Sequence, residues 1–317
     1  MTKKIKSRAI GIFFVLKFEI TILGSGGAIP TIHKRSTSQF LNIQDRFFLL
    51  DCGEGTQIQL RKYHCKYAKI NHIFISHLHG DHYLGLLGLL STLNLLGRTS
   101  PIKLYAPAEL KEIIALHFKI SGKSFRFNIE LFELNFNEKT LLFEDSVVKV
   151  YSFPVDHSVP CCGFLFEEIK KERNIIKKKI ENQQIPFHIL RKLKNGEDFT
   201  YNDILLKSDE YTIDSPDPRS YAYCADTAYS EKIIPHIKHV DLLYHEATFL
   251  EEMKDRAIKT QHSTAKDAAK IAMKGEVKKL IIGHFSARYN EVSHFEEEAK
   301  TVFSNTIAVS DGDTFNL

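Results

Sequence analysis

Short apolar runs alternate with segments of helical periodicity along most of the chain. Alternating or continuously apolar runs predict strands at residues 18–23, 39–43, 46–50, 70–76, 102–105, 147–153, 163–166, 221–225, 240–245 and 280–283. Helical spacing predicts amphipathic helices at 263–274 and 291–303, and a buried helix at 83–96 that is apolar on nearly all sides. Strands that alternate with helices predict a layered α/β fold.

The segment from residue 167 to 218 interrupts this alternation. It is polar and ends in the linker-like run Asp214-Ser-Pro-Asp-Pro218, so we interpret it as an insertion that projects from the core. Between positions 170 and 194 only two acidic residues oppose nine basic ones, namely Lys170, Lys171, Arg173, Lys177, Lys178, Lys179, Arg191, Lys192 and Lys194. In a chain whose net charge is +4, such a local excess indicates a polyanionic partner, although a solvated helix face has the same composition.

Length and composition exclude several classes of protein. The chain has 317 residues, of which 43% are hydrophobic, and no apolar run is long enough to span a membrane. Residues 1–17 are basic and then briefly apolar, with no small-residue cleavage site, so we expect an N-terminal extension and not a signal peptide. The five cysteines form no Cys-x-x-Cys pair, which argues against a disulfide framework and a thiolate zinc site. These features predict a cytoplasmic protein.

Four potential metal ligands stand directly after the predicted strand at 70–76. The run Ser76-His-Leu-His-Gly-Asp-His82 offers His77, His79, Asp81 and His82. Imidazole nitrogens and a carboxylate suit Zn²⁺ and similar divalent ions. The intervening glycine permits a sharp turn, so the two halves of the run can face two different metals. A polar loop with chance histidines is the alternative.

Further ligand candidates follow three later strands. His157, Asp226 and His284 come after the predicted strands at 147–153, 221–225 and 280–283. Because sites in α/β folds gather at the carboxyl ends of strands, we expect four strand ends to assemble five histidines and two aspartates. Alone, His157 would be a surface turn residue and His284 a satisfied core histidine; together with the first run, both are expected to be ligands.

Several motifs together resemble the ribonuclease Z family of the metallo-β-lactamase superfamily. They are Gly24-Ser-Gly-Gly-Ala-Ile-Pro30, Leu50-Asp-Cys-Gly-Glu-Gly-Thr-Gln57, the His-x-His-x-Asp-His run, Gly85-Leu-Leu-Gly-Leu-Leu90, His245-Glu-Ala-Thr-Phe249, His262-Ser-Thr264 and His284-Phe-Ser-Ala-Arg-Tyr289. The resemblance implies an αβ/βα four-layer sandwich over residues 18–317, with an inserted basic arm at about 168–212. It also implies a zinc-dependent endoribonuclease that removes the 3′ trailer from precursor tRNA, leaving a 3′-hydroxyl on the tRNA and a 5′-phosphate on the trailer.

The same resemblance implies two Zn²⁺ ions per subunit and no organic cofactor. Carried over by position, one ion would be held by His77, His79 and His157, the second by Asp81, His82 and His284, and Asp226 would bridge the two. Asp51 and His245 are expected to be supporting residues and not ligands.

The resemblance also implies roles in the chemical step. Asp81 would accept a proton beside the nucleophilic water, and His262 would donate a proton to the leaving 3′-oxygen of the tRNA. Glu246 would orient His262. Ser263 or Thr264 is expected to cap the helix that follows.

The implied partners are precursor tRNA and a second copy of the chain, because in this family the arm of one subunit serves the active site of the other. The expected RNA contacts are Lys34, Arg35, Arg288, Lys177, Lys178, Lys179, Arg191 and Lys192. The chain departs from the family pattern in two places: it lacks the asparagine of the Pro-x-Lys-x-Arg-Asn element, and its arm lacks the Gly-Pro element.

Two other functions stay open. One is a small-molecule hydrolase or phosphodiesterase of the same superfamily, and the other is a non-catalytic RNA-binding protein that keeps the fold. The basic insertion and the His-Glu-Ala-Thr motif count against the first, and the complete ligand set counts against the second.

Overall fold

The computed structural model describes residues 16–122, 124–181 and 183–317. Most of the predicted N-terminal extension, residues 1–15, lies outside the described residues. Within the described ranges the strands are β1 (Phe18–Gly24), β2 (Gly26–Gly27), β3 (Ser38–Ile43), β4 (Arg46–Leu50), β5 (His72–Phe74), β6 (Ile102–Ala106), β7 (Ile129–Glu133), β8 (Thr140–Glu144), β9 (Val148–Pro154), β10 (Cys162–Glu168), β11 (Asn174–Ile175), β12 (Phe199–Tyr201), β13 (Ile204–Leu206), β14 (Thr212–Ile213), β15 (Ser220–Cys224), β16 (Leu242–Glu246), β17 (Leu280–Gly283), β18 (Phe285–Ser286), β19 (Thr306–Ala308) and β20 (Thr314–Asn316).

The α-helices in the same ranges are α1 (Thr56–Lys62), α2 (Gly80–Tyr83), α3 (Leu86–Leu95), α4 (Leu110–Ser121), α5 (Lys177–Ile180), α6 (Phe187–Lys194), α7 (Ser208–Tyr211), α8 (Ile234–Ile237), α9 (Lys254–Thr260), α10 (Ala265–Lys274) and α11 (Ser293–Lys300). Every strand predicted from the sequence is present, with ends that differ by up to two residues. None of the helices described is long and apolar enough to cross a membrane.

Two mixed sheets form the centre of the molecule, each with seven strands in the described ranges. The first has the order β20-β1-β3-β4-β5-β6-β7 and is parallel from β4 to β7. The second has the order β19-β17-β16-β15-β10-β9-β8 and is parallel from β15 to β19. Parallel neighbours end at the same edge of a sheet, so loops that follow them come together.

Three apolar cores hold the layers together. An aromatic core that includes Phe48, Phe74 and Phe166 lies between the two sheets. Helices α1, α3 and α4 cover the outer face of the first sheet, and α8, α10 and α11 cover the outer face of the second. The expected αβ/βα four-layer sandwich is therefore confirmed.

The helix predicted at 83–96 differs from expectation. It is divided into α2 and α3 at Gly85, where a Cβ atom would lie 2.1 Å from the carbonyl oxygen of Gly53, so only glycine allows this close approach. The prediction of burial on nearly all sides is wrong, because Leu95 and Leu96 are 85% and 61% exposed. Only one side of α3 packs against the sheet.

The predicted arm corresponds to the chain between β10 and β15. It contains α5, α6, α7 and four short strands, and it buries a small core of its own around Ile189, Leu193 and Leu206. Its two ends are joined by the ion pair of Glu168 with Arg219 at 2.6 Å. The arm therefore has internal packing that is separate from the three cores of the sandwich.

Candidate metal centre

The seven predicted ligands meet at one edge of the sandwich. The run from His77 to His82 follows β5 of the first sheet, while His157, Asp226 and His284 follow β9, β15 and β17 of the second. The nitrogen and oxygen atoms of one set lie within 4.8 Å of one another, and so do those of the other; the sets are His77, His79, His157 and Asp226, and Asp81, His82 and His284.

Asp226 presents a different oxygen to each set. Its Oδ2 lies 3.6 Å from the Nε2 of His77 and 3.9 Å from the Nε2 of His157. Its Oδ1 lies 3.3 Å from the Nε2 of His82 and 3.1 Å from the Nε2 of His284. This is the arrangement of a carboxylate that can bridge two cations.

The two remaining predicted ligands each lie beside a histidine that faces Asp226. The Nδ1 of His79 lies 3.2 Å from the Nε2 of His157. The Oδ2 of Asp81 lies 3.2 Å from the Nε2 of His284 and accepts a hydrogen bond of 2.7 Å from the backbone N–H of Ala28. Burial would raise the pKa of Asp81, but the charge of His82 together with the charge and hydrogen bond of His284 outweighs it and holds the pKa well below the usual value. Asp81 is therefore ionised at neutral pH.

Asp51 supports two of the histidines from behind. Its Oδ2 accepts hydrogen bonds from the Nδ1 of His82 at 2.8 Å, the hydroxyl of Ser76 at 2.9 Å and the hydroxyl of Tyr223 at 2.6 Å. The Ser76 hydroxyl has one hydrogen and gives it to Asp51, so it accepts at 3.0 Å from the Nδ1 of His77. Both histidines then direct their Nε2 at Asp226.

Glu246 supports two other histidines in the same way. It is fully buried, and its Oε1 accepts from the Nδ1 of His262 at 2.8 Å while its Oε2 accepts from the hydroxyl of Thr248 at 2.8 Å. Thr248 therefore accepts at 2.9 Å from the Nδ1 of His284, which leaves the Nε2 of His284 unprotonated. Three backbone N–H groups also donate to Glu246, which fixes its position.

The donor set fits a cation. The Nδ1 of His157 donates to the carbonyl of Gln261 at 2.9 Å, so this ring too directs a bare Nε2 at the cluster. Among the described residues, the buried Nε2 of His77 and Oδ1 of Asp226 have no hydrogen-bond partner. Buried lone pairs that converge in this way repel each other unless a positive charge lies among them.

The pKa shifts point the same way. Burial disfavours the charged form of His82, but the carboxylates of Asp226, Asp51 and Asp81 outweigh it and raise the pKa of His82 well above its usual value. Burial together with the charge of His82 lowers the pKa of His77. The carboxylates thus favour positive charge at this point, which a divalent ion would supply in place of a proton.

Local backbone strain accompanies the centre. Asp51 and His284 have φ angles of 50° and 62°, in the left-handed region that non-glycine residues rarely adopt. A Cβ atom on Gly27 would lie 2.6 Å from the ring of His284, so only glycine leaves space for that ring. Tertiary contacts thus hold two supporting positions against local preference.

A cavity of about 600 Å³ opens beside the centre. His262 and Lys259 line it together with Asp81 and Asp226. Burial disfavours the charged form of His262, but the carboxylate of Glu246 outweighs it and raises the pKa of His262 to about 9. With its Nδ1 bonded to Glu246, His262 keeps its Nε2 for the cavity, and it carries a proton at neutral pH.

The expected RNA contacts are placed unevenly. Arg288 is exposed, with its guanidinium 5.5 Å from the ring centre of Phe249, and Arg35 is half-buried and donates to the carbonyl of Thr31. Lys34 departs from expectation, because it is only 8% exposed and its ammonium donates to the carbonyl of Tyr289. The remaining candidates are exposed on the arm: Lys177, Lys178, Lys179, Arg191 and Lys192.

Some residues of the site were not singled out from the sequence. The hydroxyl groups of Ser76 and Thr248 each donate to a carboxylate and accept from the Nδ1 of a histidine. Lys259 lines the cavity. The signal for the first two was present, since both stand inside motifs that contain ligands or Glu246. Lys259 had no signal in the sequence. Thr264, as expected, caps α10.

Comparisons with known proteins show which proteins the chain resembles. A family model described as anti-Pycsar protein Apyc1 matches residues 18–175. A ribonuclease Z from Bacteroides thetaiotaomicron is 44% identical over 292 residues, which cover 92% of this chain and 92% of that relative. A ribonuclease Z from Cytophaga hutchinsonii is 42% identical over 302 residues, 95% of this chain and 96% of that relative.

Solved structures show the same fold. The human tRNase Z, short form, is 25% identical with a TM-score of 0.67, over 94% of this chain and 98% of that one. A metallo-β-lactamase fold protein from Bacillus subtilis has a TM-score of 0.68 at 17% identity, over 95% of this chain and 100% of that one. The fold is thus the metallo-β-lactamase fold. Because the matches to curated relatives extend over nearly the whole length of both chains, this protein belongs to the ribonuclease Z family of endoribonucleases.

Proposed function

We propose that the protein is a zinc-dependent endoribonuclease that removes the 3′ trailer from precursor tRNA, with two Zn²⁺ ions per chain. The observation that carries this proposal is Asp226, whose two oxygens face two separate groups of histidines. His77, His79 and His157 would hold one ion, and Asp81, His82 and His284 the other. Such a pair of ions would supply positive charge to the phosphodiester and would lower the pKa of the attacking water.

The protein's own residues move the protons. Asp81 is ionised and held by the N–H of Ala28, so it can accept the proton of the attacking water. His262 is protonated and directs its Nε2 at the cavity, so it can donate to the leaving 3′-oxygen. Glu246 keeps His262 charged and correctly turned. The products would be a 3′-hydroxyl on the tRNA and a 5′-phosphate on the trailer.

The position of the arm supports a homodimer. Strand β10 begins at Cys162, whose N–H donates to the carbonyl of Ser76 beside the site, and it ends at Glu168, where the arm begins. Seven residues of strand span about 20 Å, so the arm leaves the sandwich at the end away from its own metal centre. An arm placed there is better able to hold RNA for a second subunit than for its own.

A small-molecule phosphodiesterase is the alternative function. The basic arm distinguishes it from the proposed endoribonuclease. The match to the Apyc1 model ends at residue 175, near the start of the arm, whereas the curated ribonucleases Z match over nearly the whole chain. A cytoplasmic location and the lack of an organic cofactor stay predictions from the sequence.

The deciding experiment compares two substrates and two forms of the protein. Residues 172–214 are replaced by a short Gly-Ser linker, which keeps the Glu168–Arg219 pair that closes the base of the arm. The full chain should cleave precursor tRNA at the trailer junction. The shortened chain should show a strongly raised KM for precursor tRNA with a flatter salt dependence, and unchanged hydrolysis of a chromogenic phosphodiester.

Two results would contradict the proposal. One is equal loss of both activities together with lower thermal stability, which would make the arm a support of the core. The other is a full chain that hydrolyses the small phosphodiester and leaves precursor tRNA intact. Metal analysis of protein purified without added metal should find two zinc ions per chain.

A further inference from the structure

Helix α6 of the arm carries an exposed aromatic residue on a cationic face. Its Ile189 and Leu193 are buried in the small core of the arm, and Phe187 on another side is 80% exposed. Arg191 lies one helical turn after Phe187, at the i+4 position, so the two side chains share a face. A phenylalanine at a solvated position contributes nothing to the arm's core.

Several cations of the arm form no ion pair with its acidic residues. Among the described residues, Arg191 and the lysines of α5 form no ion pair, whereas Arg173 is paired with Asp209 at 2.8 Å and Lys194 with Glu172 at 2.6 Å. The ammonium of Lys192, on the same helix, lies 4.6 Å from the ring centre of Phe199 and stays exposed. The helix that carries Phe187 therefore presents exposed cations that form no ion pair within the described part of the arm.

A second exposed apolar group in the same arm provides the contrast. Ile204 and Leu205 of strand β13 are 62% and 53% exposed, but the nearby positions in the sequence are acidic, with Asp203 beside them and Glu197 and Asp198 just before β12. Such surroundings repel a polyanion. On α6, by contrast, an exposed aromatic ring stands one helical turn from an exposed arginine.

We propose that Phe187 stacks on an exposed base of the folded RNA substrate while Arg191 and the neighbouring lysines bind the flanking phosphates. The inference rests on the proposed function, in which the arm holds precursor tRNA. Every base has an aromatic face, so a ring beside cations is a sequence-tolerant contact for RNA whose bases are splayed out or end a helix. The charge of the face selects RNA over an apolar protein surface.

The chain has no tryptophan, which permits a direct test. Phe187→Trp places a single fluorophore on the face, and Leu205→Trp places one on the hairpin of the same arm as a matched control. Titration with precursor tRNA should quench the fluorescence at position 187, with a midpoint equal to the Kd from filter binding. The fluorophore at position 205 should change little.

Substitutions then separate stacking from charge. Phe187→Ala should raise the Kd for precursor tRNA roughly 5- to 100-fold, Phe187→Leu should be nearly as weak, and Phe187→Tyr should bind like the unchanged protein. The salt slope should not change in these variants, whereas Arg191→Gln should lower it by about 1. Hydrolysis of a small chromogenic phosphodiester should be the same in all of them.

The outcomes distinguish this inference from the proposed function. If Arg191→Gln weakens binding and Phe187→Ala does not, the arm binds RNA through charge alone and stacking is wrong. If Phe187→Ala shifts the protein to a smaller species on gel filtration, the ring is a contact between subunits and the inference is also wrong. If the unchanged protein neither binds nor cleaves precursor tRNA, the proposed function itself fails.

Discussion

Two buried carboxylates orient histidines through the same pattern of hydrogen bonds. Asp51 follows β4 of the first sheet, and Glu246 ends β16 of the second. Each accepts directly from the Nδ1 of one histidine and reaches another through a hydroxyl group. The direct partners are His82 and His262, and the relayed partners are His77 through Ser76 and His284 through Thr248.

The four supported rings differ in where the Nε2 nitrogen points. His77, His82 and His284 direct Nε2 at Asp226, and the side chains of His77 and His82 are 0% exposed. The side chain of His262 is 16% exposed and lines the cavity. In the proposed function, the same kind of support positions three rings to bind a cation and one to donate a proton, and the surroundings of each Nε2 decide its role.

The largest effect should come from Asp226→Ala, because both groups converge on that carboxylate. Without it neither set of histidines keeps its shared oxygen, so metal content and cleavage of both substrates should fall by orders of magnitude. Metal analysis and single-turnover assays measure this. Asp156→Ala, an exposed carboxylate close to His157 in the sequence, is the matched control and should behave normally. If the Asp226 variant retains two metals and near-normal turnover, the proposal that Asp226 bridges the two ions is wrong.

His262→Ala tests the proposed difference between His262 and the three rings that face Asp226. The rate should fall about 10²- to 10⁴-fold, the usual range for a lost general acid, with metal content unchanged. Since His262 also lies within 4.8 Å of ligand atoms of Asp226 and His284, metal analysis is essential here. Loss of metal would show that His262 is a ligand and that the two carboxylates serve the same purpose.

Asp51→Asn and Glu246→Gln should separate the groups further. Asp51→Asn should weaken metal binding about 10- to 100-fold, because His82 and His77 both lose their support, and added zinc should restore part of the rate. Glu246→Gln should lower kcat more than metal affinity, and added zinc should not restore it. Chelator competition and zinc titration of activity measure the two. Thermal unfolding of each variant checks that both fold, and identical zinc responses would erase the distinction.

The pH behaviour of His262 follows from Glu246. In the metal-free protein the pKa of His262 should be about 9, and Glu246→Gln should return it toward the ordinary value of about 6.5. The folded pKa is raised, so the ion pair contributes stability that is fully present below about pH 6.5 and is lost as the pH rises through about 9. NMR titration and the pH dependence of thermal unfolding check both statements. The same pKa in both proteins would mean that Glu246 does not set the charge.

The smallest effects should come from the hydroxyl relays. Thr248→Val should loosen one of the two metals about 10-fold, the low end for a lost supporting residue, and Thr248→Ser should restore it because only the hydroxyl matters. Ser76→Ala should loosen the other metal instead. Stepwise chelation resolves the two sites. Loss of the same metal in both variants would show that the relays do not act on separate sets.

Much of the centre was predictable because its ligands are local in the sequence or follow strands. The run from His77 to His82 needed only its composition, and the later ligands needed only the rule that strand ends gather at one edge. Glu246 and His262 came from the family motifs. The prediction that the helix at 83–96 is buried was wrong for its exposed side, because apolar composition does not show how much of a helix a sheet covers.

The sequence by itself determined the order of strands and helices, the set of candidate metal ligands and the interruption by a charged arm. Only the tertiary structure decided which oxygen of Asp226 faces which histidines, which nitrogen of each ring is free, that Lys34 is buried, and that the arm leaves the sandwich at the end away from the site. The reason is physical: composition and periodicity fix what each residue can do locally, whereas the direction of a lone pair depends on partners that are often tens to hundreds of positions away in the chain.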